Sequence, residues 1–363
     1  MANASPLLEL ERARGAAIIE QDNRLVPIRF GDPLKEYEAV QSRVGLLDLS
    51  ARSFLRLSGA DRVPFLNGMV SNDVRALAPG HGLHAAFLDI QGKILADARI
   101  FATEDALLVD VPEERREIIG RHLERHLVAD EVQIEDLSGA WSLLSLQGPR
   151  AAALLEESAD LERLPASELA HGEASIGGVK VRLIRVSLMC AEGYDVVLPR
   201  GEAVRCASLV EEKGAAHGLC WVGAEAQEML RLEAGIPRYG TDMNENNLLL
   251  ETGLDYAVSF QKGCYLGQEI VERVRSRGHV NKRLVLLGLE TRAPAAAGSP
   301  ICQAGRQLGA VTSSAFSPRR NTALALGYVQ RGFAEPGTSL TVKDGAREIG
   351  AVVVAKPLGR APA

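Results

Sequence analysis

Lys262-Gly263-Cys264-Tyr265-Leu266-Gly267-Gln268-Glu269 sets a cysteine between two glycines, just after a lysine and just ahead of an amphipathic run from Gln268 to Arg277. Ile270, Val271 and Val274 mark one face of that run at helical spacing. A thiol near a helix N-terminus and an ammonium group is favoured as thiolate, the form that attacks disulfides and binds metals. The glycines allow a tight turn or the close approach of a ligand. The same residues also describe a strand-to-helix turn with a small buried cysteine. Other clusters offer less. His122 and His126 share a helix face, but Glu124 lies about 200° around the helix from His122 and cannot join them as a zincin-type base. His81 and His84 flank a glycine turn without a third ligand nearby in sequence, so no metal is expected. Neither a G-x-G-x-x-G fingerprint nor a phosphate-binding G-x-x-x-x-G-K-S/T loop is present.

The elements that must position the cysteine are legible along the chain. Asp32 caps a helix that admits Pro33 at its first position and is expected to end at Gly45. A strand follows over 53–59, a helix over 61–69, and two strands flank the turn Asp89-Ile90-Gln91-Gly92-Lys93. Leu107–Val111 reads as a strand and Glu113–Leu127 as a helix. Trp141–Gln147 opens a new apolar strand, and Gly148-Pro149 leads into an Ala/Leu-rich helix. Val179–Ser187 and Tyr194–Leu198 read as strands, Glu202–Lys213 and Ala224–Ala234 as helices. Past Lys282 the texture turns to short strands over 284–289, 324–329, 340–342 and 351–354, with Asp344-Gly345 as a turn. This order predicts α+β units followed by a β-rich C-terminal domain.

At 363 residues, with 46% hydrophobic and 24% charged residues, the chain has material for two or three packed domains. A net charge of −6 argues against a nucleic-acid or anionic-membrane surface; the one basic stripe, Arg273, Arg275, Arg277, His279, Lys282 and Arg283, reads as a solvated helix end. The 5 cysteines form no close pair, which points to reduced thiols and a cytoplasmic setting. Neither a signal-peptide core nor a membrane-spanning apolar stretch is expected.

The octapeptide at Cys264 resembles the signature of the YgfZ family, folate-binding relatives of the glycine-cleavage aminomethyltransferase (T-protein) that are linked to iron–sulfur protein maintenance. Val44-Gly45-Leu46-Leu47-Asp48-Leu49-Ser50, Gln147-Gly148-Pro149, Leu230-Arg231-Leu232-Glu233-Ala234-Gly235 and Tyr239-Gly240-Thr241-Asp242 are similar to stretches of the wider superfamily, in order along nearly the whole chain. The resemblance implies an α+β, three-domain aminomethyltransferase-like fold around a central folate cavity, with a C-terminal β-barrel. Its domains would be 1–50 with 140–223, 51–139 with 224–281, and 282–363. It further implies a tetrahydrofolate-binding protein that supports assembly or repair of iron–sulfur enzymes, with those enzymes or their assembly factors as partners. Cys264 would be a redox or transfer thiol beside Lys262. Two alternatives stand beside it: an aminomethyltransferase of glycine cleavage, moving a methylene unit to tetrahydrofolate, and a non-catalytic folate-binding scaffold.

The resemblance also nominates residues. Asp97, in Gly92-Lys93-Ile94-Leu95-Ala96-Asp97, matches an acid that faces the one-carbon-bearing nitrogens of tetrahydrofolate, where a carboxylate accepts a proton or a hydrogen bond; a strand aspartate facing solvent is the other reading. Ala96 stands where the family pattern has a further acid. Asn72 and Asp73 match a loop near the folate cavity and are also ordinary turn residues. Glu192 lies one position past Ala191, where the family uses a pterin-binding glutamate. Arg231 matches a retained arginine that could grip the folate tail or pair with Glu228 or Glu233, Gln227 replaces a second one, and Tyr239 completes the folate set.

Overall fold

The computed structural model describes residues 4–187, 192–276 and 280–355. The chain divides into two compact units: Met1–Phe65 with Val74–Leu83 and Ala98–Gln227, and Leu66–Asp73 with His84–Asp97 and Glu228–Ala363.

The first unit is built on a seven-stranded sheet whose strands hydrogen-bond in the order Ala159–Asp160, His171–Ile176, Val179–Arg185, Gly193–Pro199, Trp141–Gln147, Val44–Asp48, Leu219–Trp221. All pairs are antiparallel except the last, where Leu219 pairs Val44 in parallel. Alternation along the central strands splits the side chains between two cores. Leu144, Leu146, Tyr194, Val196 and Leu198 pack with helices Ala151–Ser158 and Ala203–Gly214, while Leu143 and Val197 pack with Phe54, Phe101 and Leu108.

Between Val44–Asp48 and Trp141–Gln147 the chain inserts a five-stranded sheet, ordered Gly82–Leu88, Ile94–Ala102, Ala106–Pro112, Arg52–Ser58, Gln133–Asp136. Its Arg99 is buried and bonds Asp110 and Asp195, each at 2.6 Å. Burial opposes the charge on Arg99, but the two carboxylates outweigh it and raise the pKa of the guanidinium.

The helix capped by Asp32 is Pro33–Ser42, with the Asp32 carboxylate accepting from Leu34 N at 3.0 Å. It stops short of Gly45, which instead lies inside strand Val44–Asp48. A Cβ there would come within 2.5 Å of the Val40 side chain and 2.7 Å of Val222. Gly45 is therefore a close-packing glycine and not a helix terminator.

In the second unit, Lys282–Leu289, Thr322–Gln330, Arg306–Ser317, Pro300–Gln303, Ser339–Asp344 and Arg347–Val354 close a six-stranded barrel in that order around Leu287, Ile301, Val329 and Val342. The expected boundaries set 282–363 apart; by contact the barrel groups with the segments 66–73, 84–97 and 228–281. No helix of the described residues is long and apolar enough to cross a membrane.

Candidate functional site

Cys264 is exposed together with Gly263, between the buried Lys262 and Tyr265. Lys262 and Tyr265 are 8% and 7% exposed. Helix Gln268–Ser276 begins only after the turn at Leu266-Gly267, so the thiol lies in the irregular segment before that turn and not at the helix start that the sequence led one to expect. The second expected neighbour is also turned elsewhere. The Lys262 ammonium donates to the carbonyls of Asn67 at 2.6 Å, Val70 at 2.7 Å and Asn72 at 2.7 Å, and lies 4.9 Å from the Tyr265 ring centroid. Three donors meet three carbonyls. Lys262 is therefore a buried clamp on the end of helix Arg62–Met69 and its following loop, and not a charge aimed at the thiol.

The cysteine loop is tied down from several sides within the same unit. Leu266 N donates to Gly68 O at 2.9 Å and Gln268 N to Tyr265 O at 3.1 Å. Gly267 adopts φ +83, and a Cβ on it would come within 2.7 Å of Asp89 O and 2.9 Å of the Leu88 side chain. Only glycine fits that combination of left-handed backbone and close approach. The turn it presses on, Asp89–Lys93, is fixed by the Asp89 carboxylate, which accepts from Gln91 N at 2.8 Å and Lys93 N at 2.9 Å. Gly92 abuts Ile270 in turn. Tyr265 and Val271 enter the same core as Ala86, Leu88 and Ile94. Burial pushes the Tyr265 hydroxyl up to about 12, with Glu272 adding to the effect. The thiol is thus displayed on an anchored loop.

Asp97 lies on strand Ile94–Ala102, half-buried, with Ala96 and Ala98 buried on either side of it. Asn72 has its side chain committed to the fold: Nδ2 donates to His84 O at 2.8 Å and Tyr256 O at 3.3 Å, and Oδ1 accepts from Asp73 N at 2.9 Å. Neighbouring Ser71 reinforces this, its Oγ donating to Ala257 O at 2.6 Å and accepting from Ala86 N at 2.8 Å. Tyr239 is buried, with its hydroxyl 3.1 Å from Glu245 Oε2 and 3.3 Å from Ile94 O.

Arg231 forms the ion pair with Glu228 that was one of its two expected roles. Nε and Nη2 bond Glu228 at 2.9 and 2.6 Å, Nη1 bonds Asp242 at 2.6 Å and the Ile236 carbonyl at 2.5 Å, and Nη2 also reaches Ser313 Oγ at 2.9 Å. Five donors meet five acceptors of the chain itself, leaving none for a ligand carboxylate. Burial disfavours the charge, yet Glu228 and Asp242 outweigh that and raise the arginine's pKa. The ion pair with Glu228 is what the structure displays. The Asp242 end of this network, whose Oδ1 accepts from Ser313 at 2.6 Å, escaped the sequence reading. Its signal was Thr241-Asp242 directly after Tyr239-Gly240, read only as part of a motif.

Glu192 lies in the other unit. It is exposed, with Oε1 3.3 Å from Arg185 Nη2, and its carbonyl accepts from Gly148 N at 2.5 Å. Cys190 and Ala191 beside it, and Arg277 and His279 of the basic stripe, fall outside the described residues. His126 Nδ1 lies 2.8 Å from the His122 carbonyl, a helical contact. Among the described residues no group of three or more His, Cys, Asp or Glu side chains is placed to hold a metal ion. Asp97 is half-buried and Glu192 is exposed, in different units, whereas the five donors of Arg231 are all taken up within its own unit.

The fold defines a class. Residues 7–262 match the GCVT N-terminal domain family, and residues 282–358 match the glycine cleavage T-protein C-terminal barrel domain. The chain belongs to the glycine cleavage T-protein, or aminomethyltransferase, family. It is 33% identical over 328 residues to an aminomethyltransferase of Rubrobacter xylanophilus, covering 90% of this chain and 86% of that one. It is 28% identical over 341 residues to that of Desulfitobacterium hafniense, covering 93% of each. The crystal structure of the glycine cleavage system aminomethyltransferase T from Bartonella henselae superimposes with a TM-score of 0.89 at 26% identity over 98% of both chains.

Proposed function

We infer that the protein binds a reduced folate and performs one-carbon chemistry of the aminomethyltransferase type, passing a methylene unit from a carrier-bound aminomethyl group to tetrahydrofolate with release of ammonia. The observation that carries this reading is the end-to-end likeness to proteins named aminomethyltransferase, 98% of both chains at a TM-score of 0.89 in one solved structure. Asp97 is the residue assigned to the chemistry. Its half-buried carboxylate can take a proton from a folate nitrogen or steady positive charge developing on the transferred carbon. Ala96 leaves Asp97 without the second acid that the resemblance leads one to expect beside it, so slow turnover belongs to the reading. The test is transfer of a labelled methylene from an aminomethylated lipoyl carrier. Formation of methylenetetrahydrofolate that falls at least tenfold in Asp97→Asn supports the reading; no product from the wild-type chain rejects the transferase activity.

One observation favours a second reading, a YgfZ-like protein that binds folate and supports iron–sulfur enzymes through Cys264. That observation is the exposed thiol on a loop anchored at Lys262, Tyr265 and Gly267. Methylene transfer unaffected by Cys264→Ser favours the first reading. Absence of transfer, with loss of iron–sulfur enzyme activity in cells carrying Cys264→Ser, favours the second.

A further inference from the structure

The barrel wall of the second unit has a gap. Strand Lys282–Leu289 pairs with Thr322–Gln330 from Lys282 onward, but with Arg347–Val354 only from Leu286. Residues 282–285 thus have no strand neighbour on that side among the described residues, and a cavity of about 240 Å³ lies beside them. Its other walls come from the end of Arg347–Val354 and from helix Leu249–Thr252 with the turn after it, all within the second unit. Gly253 ends that helix at φ +77, and Glu251 before it and Asp255 after it both line the cavity.

Glu251 is only 7% exposed. Its Oε2 accepts from Leu248 N at 3.1 Å and lies 3.8 Å from the Lys282 ammonium, beyond hydrogen-bond reach, while Oε1 accepts from no donor among the described residues. Lys282 is held instead over the Tyr328 ring, 4.7 Å from its centroid. A carboxylate buried this far with an idle oxygen is costly unless a donor reaches it. Arg283, on the same lining, is exposed and pairs with no carboxylate among the described residues. Leu250, Leu284 and Val353 supply an apolar wall.

These groups set what fits. A bare anion would meet the like charges of Glu251 and Asp255, and a dication that of Arg283. An ammonium group answers the carboxylates, a carboxylate answers the guanidinium bidentately, and aliphatic carbon answers the apolar wall. The volume, below the ~300–1,000 Å³ of pockets for drug-sized ligands, keeps the ligand small. We propose that this cavity binds a small aliphatic α-amino acid, with its ammonium on Glu251 and its carboxylate on Arg283. The site uses neither Asp97 nor Cys264 and stands independently of the folate reading.

The experiment titrates the full chain with L-leucine as probe, by calorimetry and by ligand-observed NMR. Saturable binding with one site per chain is expected. N-acetyl-leucine, which lacks the ammonium, and leucinamide, which lacks the carboxylate, should each bind about tenfold or more weakly, the loss expected for a charge-assisted hydrogen bond. Glu251→Gln, which keeps the acceptor for Leu248 N, and Arg283→Met should each weaken leucine to a similar degree. Leucinamide should be indifferent to Arg283→Met, because its missing carboxylate is that residue's partner. No saturable binding of leucine to the wild-type chain overturns the proposal. Leucine binding that survives both substitutions places the ligand elsewhere and overturns it too, and equal affinity for leucine and leucinamide overturns the contact with Arg283. Should Glu251→Gln fail to fold, N-acetyl-leucine against the wild-type chain carries that arm, and affinity equal to that of leucine overturns the role of Glu251.

Discussion

Cys264 and Arg231 show how far residue type alone reaches. Cys264 is exposed, whereas Cys206 is buried and its thiol is pushed up to about 11 by that burial, so alkylation at neutral pH should mark Cys264 first and Cys206 last. Mass-spectrometric mapping after brief iodoacetamide treatment checks the order; faster reaction at Cys206 would contradict the loop geometry. Arg231 was legible as important but not as to why. Its sequence neighbours offered both a ligand-gripping role and an ion pair with Glu228, and only the structure supplies Asp242 and Ser313 as further acceptors. Arg231→Met should lower stability by ~3–5 kcal/mol, because it leaves the fully buried Asp242 carboxylate without its cation and Glu228 with Arg238 alone. Denaturant unfolding reads this directly. Unchanged stability together with lost folate affinity would return Arg231 to the ligand.

At the scale of elements, the cysteine loop depends on Gly267, whose φ of +83 and contact with Asp89 O exclude a side chain. Gly267→Ala should destabilise the chain by at least ~1 kcal/mol and raise hydrogen exchange at Leu266 N, which the loop holds against Gly68 O. Exchange unaltered in that variant would mean the loop is held elsewhere. Elements with strong local periodicity were plain from sequence: Trp141–Gln147 and Ala224–Ala234 fall where expected, because apolar spacing and turn residues bound them. Strand Arg306–Ser317 did not stand out. Leu308 and Val311 enter the barrel core, whereas past a register shift Ala315 packs with Leu232 in a separate cluster, and Ser313 and Ser317 are buried with Asp242 and Glu233 as acceptors. Alternation was present, but polar residues carried part of it, and their partners lie far away in sequence. The same limit hid the Lys262 nest, since backbone carbonyls leave no trace in residue type.

For the whole molecule, the family and the closed barrel follow from the matched domains, and stability should carry a pH signature from the N-terminal helix Leu8–Ala13. Glu11 is fully buried, its carboxyl oxygens have no hydrogen-bond partner, and burial, with Asp48 nearby, pushes it up to about 8. The folded state therefore holds a proton that the unfolded chain releases near the ordinary value of 4.5, and stability contributed by the neutral acid is lost as pH rises from there to about 8. Unfolding free energy should fall across that window by up to ~1.4 kcal/mol per pH unit from this group, and Glu11→Gln should flatten the slope. A slope identical in the variant would remove Glu11 as its source. The folate reading itself is tested most directly by calorimetric titration of the purified chain with tetrahydrofolate, beside Asp97→Asn. Saturable binding with one site per chain, weakened about tenfold or more in the variant, is the predicted result; no saturable heat from the wild-type protein, or equal affinity in both proteins, would contradict the site assigned to Asp97.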